Sequence, residues 1–303
     1  MVNSTEKILI AGCGYRGRRL ARRVIAGGRA VRGLTRSPEH AAALAALGIE
    51  PFIGDITRQD SLRGIGNGVV AVYHLMGSMS GDDAQLHKLH IEGTRHLIAE
   101  LAAAGLRRYV YESSTAVYGQ TDGEWIDEQA PRTPASTMGK LRVQAEDLLL
   151  DAWRQYGLPV VILRPSSIYR PEGMINRKIR AGAYTLSSDP DKLMNHIYVD
   201  DFLSVLERAL AQGRPGEAYN VSDDEPKRGI DYVNLIAELM QAPAPRVEWQ
   251  APAERCAELV RQSNKRCSNA KLKREFGLTL QFPTYREGLR ESARLGWQEE
   301  EGV

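Results

Sequence analysis

The sequence predicts a doubly wound α/β fold, a parallel sheet with helices on both faces, joined to a smaller C-terminal domain. Three observations predict it. Over the first 110 residues, short β-branched or apolar runs alternate with alanine- and leucine-rich helical stretches, the rhythm of strand-helix-strand units. The run "ILIAGCGYRGRRLA" places Gly12, Gly14 and Gly17 as GxGxxG between the first strand and the first helix. Beyond Arg170 the alternation loosens into loop residues and mixed charge.

Taken in order, "KILIAG" reads as a strand, "YRGRRLARRVIAGG" as a helix, "AVRGLTR" as a strand, "SPEHAAALAALG" as a helix and "EPFIGD" as a strand. "VVAVYHLMG" follows as a strand, then a helix from about Asp82 to Ala104 and the strand "RYVYESS". A further helix, "KLRVQAEDLLLDAWRQYG", leads into the strand "PVVILRPSS", so six or seven strands form one sheet. After "HIYVDD" the pattern gives a helix, the strand "EAYNVSD" and the helix "GIDYVNLIAELM", whose apolar residues recur at three- and four-residue steps. The proline-rich "QAPAPRVEWQAPAE" reads as loop around one short strand, and "QEEEGV" as a frayed tail. The domains predicted are 1–172, with 196–222 returning to it, and 173–303.

Composition narrows the function classes. The 303 residues are 43% hydrophobic and 26% charged, which provides for a sizeable core. Forty basic against 38 acidic side chains are too balanced for a general field toward nucleic acid or an anionic membrane. Cys13, Cys256 and Cys267 are odd in number and unpaired in spacing, which argues against a disulfide framework or a zinc site. The histidines lack HxxxH and HExxH spacing, so no metal is expected. A reducing, cytoplasmic setting is expected, since the N-terminus has no secretory pattern and no run approaches the length of a membrane span.

The glycine cluster carries the first chemical inference. The first glycine permits a tight turn, the second lets backbone approach a pyrophosphate and the third allows close helix packing, while free N–H groups at the helix start favour negative charge. The expectation is dinucleotide binding. At the end of the second strand an acid would bind a ribose 2'-hydroxyl, whereas an arginine accommodates a 2'-phosphate. "VRGLTRSPEH" has Thr35 and Arg36 there and no acid before Glu39, which favours NADP, with NAD as the alternative. In "GDIT", Asp55 and Ile56 are placed to hold the adenine.

The glycine loop, "GDITRQDSL", "YHLMGSM", "IEGTRHL", "YVYESSTAVYG", "VILRPSSIYRP" and "HIYVDD", in this order, resemble the extended short-chain dehydrogenase/reductases, the NAD-dependent epimerase/dehydratase family. The likeness is most specific over residues 7–222, and the closing "NKRCSNAKLKREFGLTLQFPTYREGL" looks like the end of the family's atypical members, which use GxGxxG. With the glycine loop, the resemblance implies a Rossmann-type cofactor set of Gly12, Gly14, Tyr15, Arg16, Gly17, Thr35, Arg36, Asp55, Ile56, Met76, Ser113 and Arg142.

The resemblance also implies catalysis by a Ser or Thr, a Tyr and a Lys, assisted by an Asn. Here the tyrosine exchanges a proton with substrate while a nicotinamide exchanges hydride. The serine falls at Ser114. Two registers compete for the Tyr and Lys: one sets Ser136 and Lys140 opposite them, the other Met138 and Arg142. The second also matches Gly139 and Glu146 and is preferred; neither supplies a tyrosine. The Asn position holds His90. A thioether donates no proton and arginine stays protonated, so the usual relay is excluded. Ser114, His90 and Arg142 are the catalytic candidates that remain, with Arg142 also a fixed cation for ribose or phosphate.

Tyr118 is common in the family without a catalytic role, whereas Tyr169 and His196 are expected at the substrate cleft. Asp200 and Asp201 are expected to cap the following helix. Asn176, Arg177, Lys178 and Arg180 fall where family members contact a sugar nucleotide. The resulting expectation is an NADP-dependent oxidoreductase or epimerase acting on a small hydroxyl or carbonyl substrate, such as a nucleotide sugar, without the usual Tyr/Lys pair. The rival is a non-catalytic NADP-binding sensor or scaffold. Family members often form homodimers through a helix pair that would here include residues 140–156.

Overall fold

A computed structural model describes residues 6–77, 81–248 and 264–298. Cys256, much of the proline-rich stretch and nearly all of the C-terminal tail lie outside them. The chain divides into two compact units. The first holds residues 1–114, 137–164 and 206–218; the second holds 115–136, 165–205 and 219–303.

The sheet strands are β1 (Lys7–Ala11), β2 (Ala30–Thr35), β3 (Glu50–Ile53), β4 (Val69–His74), β5 (Arg108–Glu112), β6 (Val160–Pro165) and β7 (Ala218–Val221). Their order is β7-β6-β5-β4-β1-β2-β3, parallel at every pairing from β3 through to β6. The order reverses between β1 and β4, and the crevice at that switch point, beyond the carboxyl ends of the strands, is where such sheets take ligands.

Helices α1 (Tyr15–Ala26) and α2 (Pro38–Ala46) follow β1 and β2 as the alternation requires. Ser37 caps α2, accepting the His40 N–H, with Pro38 at the first helical position. The helix expected from about Asp82 is interrupted. It runs as α3 (Asp83–His87), a π-helical turn (Lys88–Glu92) and α4 (Gly93–Leu101). Asp82 and Gln85 close its start as a reciprocal capping box. The wider turn places Lys88 and Leu89 on the cleft while burying His90 and Ile91.

Helix α5 (Thr137–Tyr156) buries Gly139, Leu141, Arg142, Ala145, Glu146, Leu149 and Ala152, a stripe at three- and four-residue steps. Leu141, Ala145, Leu149 and Ala152 pack into the core with Tyr109, Tyr111, Leu97 and Leu101. Arg142 and Glu146 therefore sit on the inward face of the helix. Their polar groups must find partners inside the protein.

In the second unit, α6 (Met174–Arg180), α8 (Gly229–Leu239), α9 (Ala270–Phe276) and α10 (Tyr285–Arg294) accompany short strand pairs, Ser167–Tyr169 with His196–Tyr198 and Trp125–Ile126 with Arg266–Cys267. Helix α7 (Val199–Gln212) carries Asp200 and Asp201 in its first turn. The Asp201 carboxylate accepts the backbone N–H groups of Gln281 and Phe282, at 2.7 and 2.9 Å, and so ties a distant loop to the helix start. No helix among the described residues is long and apolar enough to cross a membrane.

Candidate functional site

The glycine turn is built by close approach. Gly12 has φ +116°, and a Cβ there would stand 2.8 Å from the Leu75 carbonyl carbon at the end of β4. A Cβ on Gly17 would stand 2.2 Å from the Gly12 carbonyl oxygen, so helix α1 lies directly on the turn. A Cβ on Gly14 would meet nothing within 4 Å. Two glycines thus let the protein close on itself, and the third leaves room for a ligand, as a pyrophosphate cradle requires.

That room opens into a cleft of about 710 Å³ lined by Gly12, Gly14, Tyr15, Arg16, Gly17, Arg36, Asp55, Ile56, Thr57, Leu75, Met76, Gly77, Gln85, Lys88 and Leu89. The elements supplying them are the glycine turn, the carboxyl ends of β2, β3 and β4, and the segment from α3 into the π turn. Asp55 Oδ1 accepts the backbone N–H and hydroxyl of Thr57, at 2.9 and 2.8 Å, which fixes its carboxylate beside the cleft. Arg36 is exposed and, among the described residues, forms no ion pair or hydrogen bond. Cys13 faces away: its thiol donates to the Ile10 carbonyl at 3.4 Å, and burial pushes it up to about 12, so it is no thiolate.

Three residues expected at the cofactor are placed differently. Thr35 is buried at the end of β2, with its carbonyl accepting the Gly54 N–H. Ser113 turns to the core, donating its hydroxyl to Glu146 Oε1 at 2.5 Å. Glu146 in turn accepts Arg164 Nε at 3.0 Å and Nη2 at 2.7 Å, a two-point ion pair with side-chain exposures of 0% and 5%. Arg142 donates from Nη1 to the Tyr111 hydroxyl at 3.1 Å and to the Glu112 carbonyl at 2.8 Å, with its guanidinium 5.8 Å from the Tyr111 ring centre. Its Nη2 backs onto Gly77, where a Cβ would come within 2.8 Å, so Arg142 supports the cleft wall from behind.

The catalytic candidates separate similarly. Ser114 is half-buried just past β5. His90 is buried in the π turn, and Met138 packs on the core. Beneath them His74 shares a 2.9 Å hydrogen bond with the Tyr109 hydroxyl; burial, aided by Arg142 and His90, pushes its ring down to about 3, which keeps it neutral.

In the second unit, Tyr118 donates to Asn220 Oδ1 at 2.9 Å. Tyr169 and His196 are buried in an aromatic group, with His196 stacked on Tyr232 at 4.2 Å. Asn176 is buried and bonds the carbonyls of Arg170 and Pro171. Among the described residues, no group of three or more His, Cys, Asp or Glu side chains is placed to hold a metal ion.

Sequence reasoning missed Thr57, Leu75, Gly77, Gln85, Lys88 and Leu89 at the cleft. Leu75 and Gly77 flank Met76 and follow from the strand end. The π turn that presents Lys88 and Leu89 has no signature in the sequence.

Comparison with known proteins agrees with this architecture. The 4-hydroxy-2-methyl-3-oxo-4-farnesyl-3,4-dihydroquinoline-1-oxide ketoreductase of Stigmatella aurantiaca is 28% identical over 239 residues, 75% of this chain and 71% of its own. A conserved protein of unknown function from Silicibacter pomeroyi is 32% identical, with a TM-score of 0.75 covering 96% of this chain and 99% of that one. The UDP-glucose 4-epimerase of Thermotoga maritima, solved with UDP-glucose, shares the fold at a TM-score of 0.82 and 18% identity, over 95% of this chain and 97% of that one. The NAD-dependent epimerase/dehydratase family matches residues 8–222, from the first strand of the sheet to just past the seventh, and the chain belongs to that family.

Proposed function

We propose that the protein is an NADP-dependent oxidoreductase or epimerase acting on a small hydroxyl- or carbonyl-bearing substrate, a nucleotide sugar among the chemical classes that fit. The observation carrying this reading is the cleft itself. A glycine turn with an open Gly14 lies at one part of its lining, and at the end of β2 an arginine without a counter-ion stands where an acid would select a ribose 2'-hydroxyl. Gly12, Gly14 and the start of α1 would hold the pyrophosphate, Asp55 and Ile56 the adenine, and Arg36 the 2'-phosphate. The bound dinucleotide would supply hydride. Ser114 would orient the substrate oxygen by hydrogen bonding, and the proton would come from water or a substrate group, since neither Met138 nor Arg142 can exchange one.

Titration with NADPH and NADH tests the cofactor assignment. In Arg36→Ala the affinity for NADPH is expected to fall tenfold or more while that for NADH stays within about twofold, the loss of one charge-assisted phosphate contact of roughly 1.5–3 kcal/mol. Equal loss for both would remove the 2'-phosphate role.

A second reading is favoured by one specific observation: Met138, Arg142 and His90 all turn into the core, so the positions of the family relay serve packing. A sensor or scaffold would bind NADP without turnover. Its signature is unchanged nicotinamide absorbance together with unchanged substrate by NMR in mixtures with nucleotide-sugar and small carbonyl substrates, at protein concentrations where binding is saturated.

A further inference from the structure

Arg16 is the second of the two residues between Gly14 and Gly17, and it lines the cleft at the first turn of α1. Its charge does not stand alone there. Nη2 donates to Glu112 Oε1 at 2.6 Å, with the arginine side chain 33% exposed and the glutamate 7%. Glu112 closes β5 on the strand alternation opposite Tyr111, which faces the core beneath α4 and α5. Few side chains are less suited to that position than a carboxylate, because burial disfavours its charged form. Burial does push the Glu112 carboxyl above the usual carboxylate range, against the pull of the Arg16 and Arg142 guanidinium groups.

The pair is also incomplete. Glu112 Oε2 and Arg16 Nε are both buried without a hydrogen-bond partner, so the contact rests on one strong bond where a side-on arginine-carboxylate pair would make two. A pair selected for stability alone would be expected to close the second bond or give way to apolar side chains. What this one achieves is electrostatic: it neutralises a cation that lines the cleft at the glycine turn. Arg36 and Lys88, which make no ion pair among the described residues, remain as uncompensated cations on the cleft.

We propose that Glu112 is a positioning residue that sets dinucleotide affinity: it cancels the charge of Arg16 at the pyrophosphate end of the cleft, and discrimination between dinucleotides is left to the cations elsewhere in its lining. The proposal rests on the dinucleotide reading above. Every dinucleotide carries the pyrophosphate, so a full cation beside it would tighten NADH and NADPH alike. That would raise affinity without discrimination and slow release of spent cofactor. With Arg16 neutralised, the pyrophosphate is held by backbone N–H groups and the helix start. Glu112 does not touch the cofactor in this account; it acts through Arg16.

The test is fluorescence titration with NADH and NADPH across a salt series, in wild type, Glu112→Gln and the double variant Arg16→Met/Glu112→Met. Glu112→Gln keeps the shape and removes the charge. It is expected to bind NADH about fivefold or more tightly and NADPH by a similar factor, with a steeper decline as salt rises. The double variant, with no charge on either side, is expected to lose both the gain and the steeper salt dependence of Glu112→Gln. Glu112→Asn, which also removes the charge, carries the comparison if Glu112→Gln fails to fold. Equal or weaker NADH binding by Glu112→Gln, an unchanged salt slope, or the same gain in the double variant would overturn the proposal. If wild type binds neither dinucleotide, the reading of the cleft fails and this inference with it; if wild type binds and the variants behave alike, only this inference fails.

Discussion

Arg164→Met is expected to lower the midpoint of thermal unfolding by roughly 10 °C, from a loss of about 3–5 kcal/mol. The arginine holds both oxygens of Glu146, whose side chain is 0% exposed, and Glu146 also accepts the Ser113 hydroxyl. Removing the cation takes from a buried carboxylate its two-point partner, the costly half of breaking a buried pair. The double variant Arg164→Met/Glu146→Met should recover most of the loss, since apolar side chains of similar volume often replace buried pairs at little cost. Differential scanning calorimetry of the three proteins decides it. A shift under about 3 °C for the single variant would show that the pair contributes little.

The second large effect separates two glycines in one motif. In Gly17→Ala the new Cβ would stand 2.2 Å from the Gly12 carbonyl oxygen and 3.3 Å from Ile10 Cγ2, so α1 must lift off the turn. Stability should fall by about 1–3 kcal/mol, as for other overpacked sites. Dinucleotide affinity should fall about a hundredfold, because a displacement near 1 Å is enough to misplace the donors at the helix start. In Gly14→Ala the Cβ meets no protein atom within 4 Å, so the unfolding midpoint should hardly change while dinucleotide binding still drops steeply. Calorimetry and titration on the same preparations test both. A stable Gly14→Ala that binds NADPH as wild type does would move the pyrophosphate away from this turn.

These two sites also mark what the sequence could and could not reveal. The parallel sheet and the glycine turn were legible because period, strand length and GxGxxG spacing are local properties of the chain. Gly12, Gly14, Tyr15, Arg16, Gly17, Arg36, Asp55, Ile56 and Met76 follow from strand ends and reach the cleft. Ser113 and Arg142 do not, because which way a side chain turns at a strand end or along a helix depends on partners far off in sequence. Glu146 was legible as a motif residue, but its pairing with Arg164 spans 18 residues and required the β6–α5 packing to be known. The π turn was illegible for a different reason. It adds one residue to a helical turn without changing composition, and it decides that Lys88 meets the cleft while His90 does not.

The inward placement of Arg142 has a consequence for how the cleft can be altered. Its guanidinium bonds the Tyr111 hydroxyl and the Glu112 carbonyl and fills the space beside Gly77, so the residue belongs to the wall of the cleft. Arg142→Lys gives up the planar group against Gly77 and its two hydrogen bonds from one nitrogen. Met138→Tyr displaces a methionine packed on the core. Changes on this helix face therefore reach the cleft only by repacking what supports it, whereas changes at Arg36 or Lys88 alter the lining and leave the wall in place.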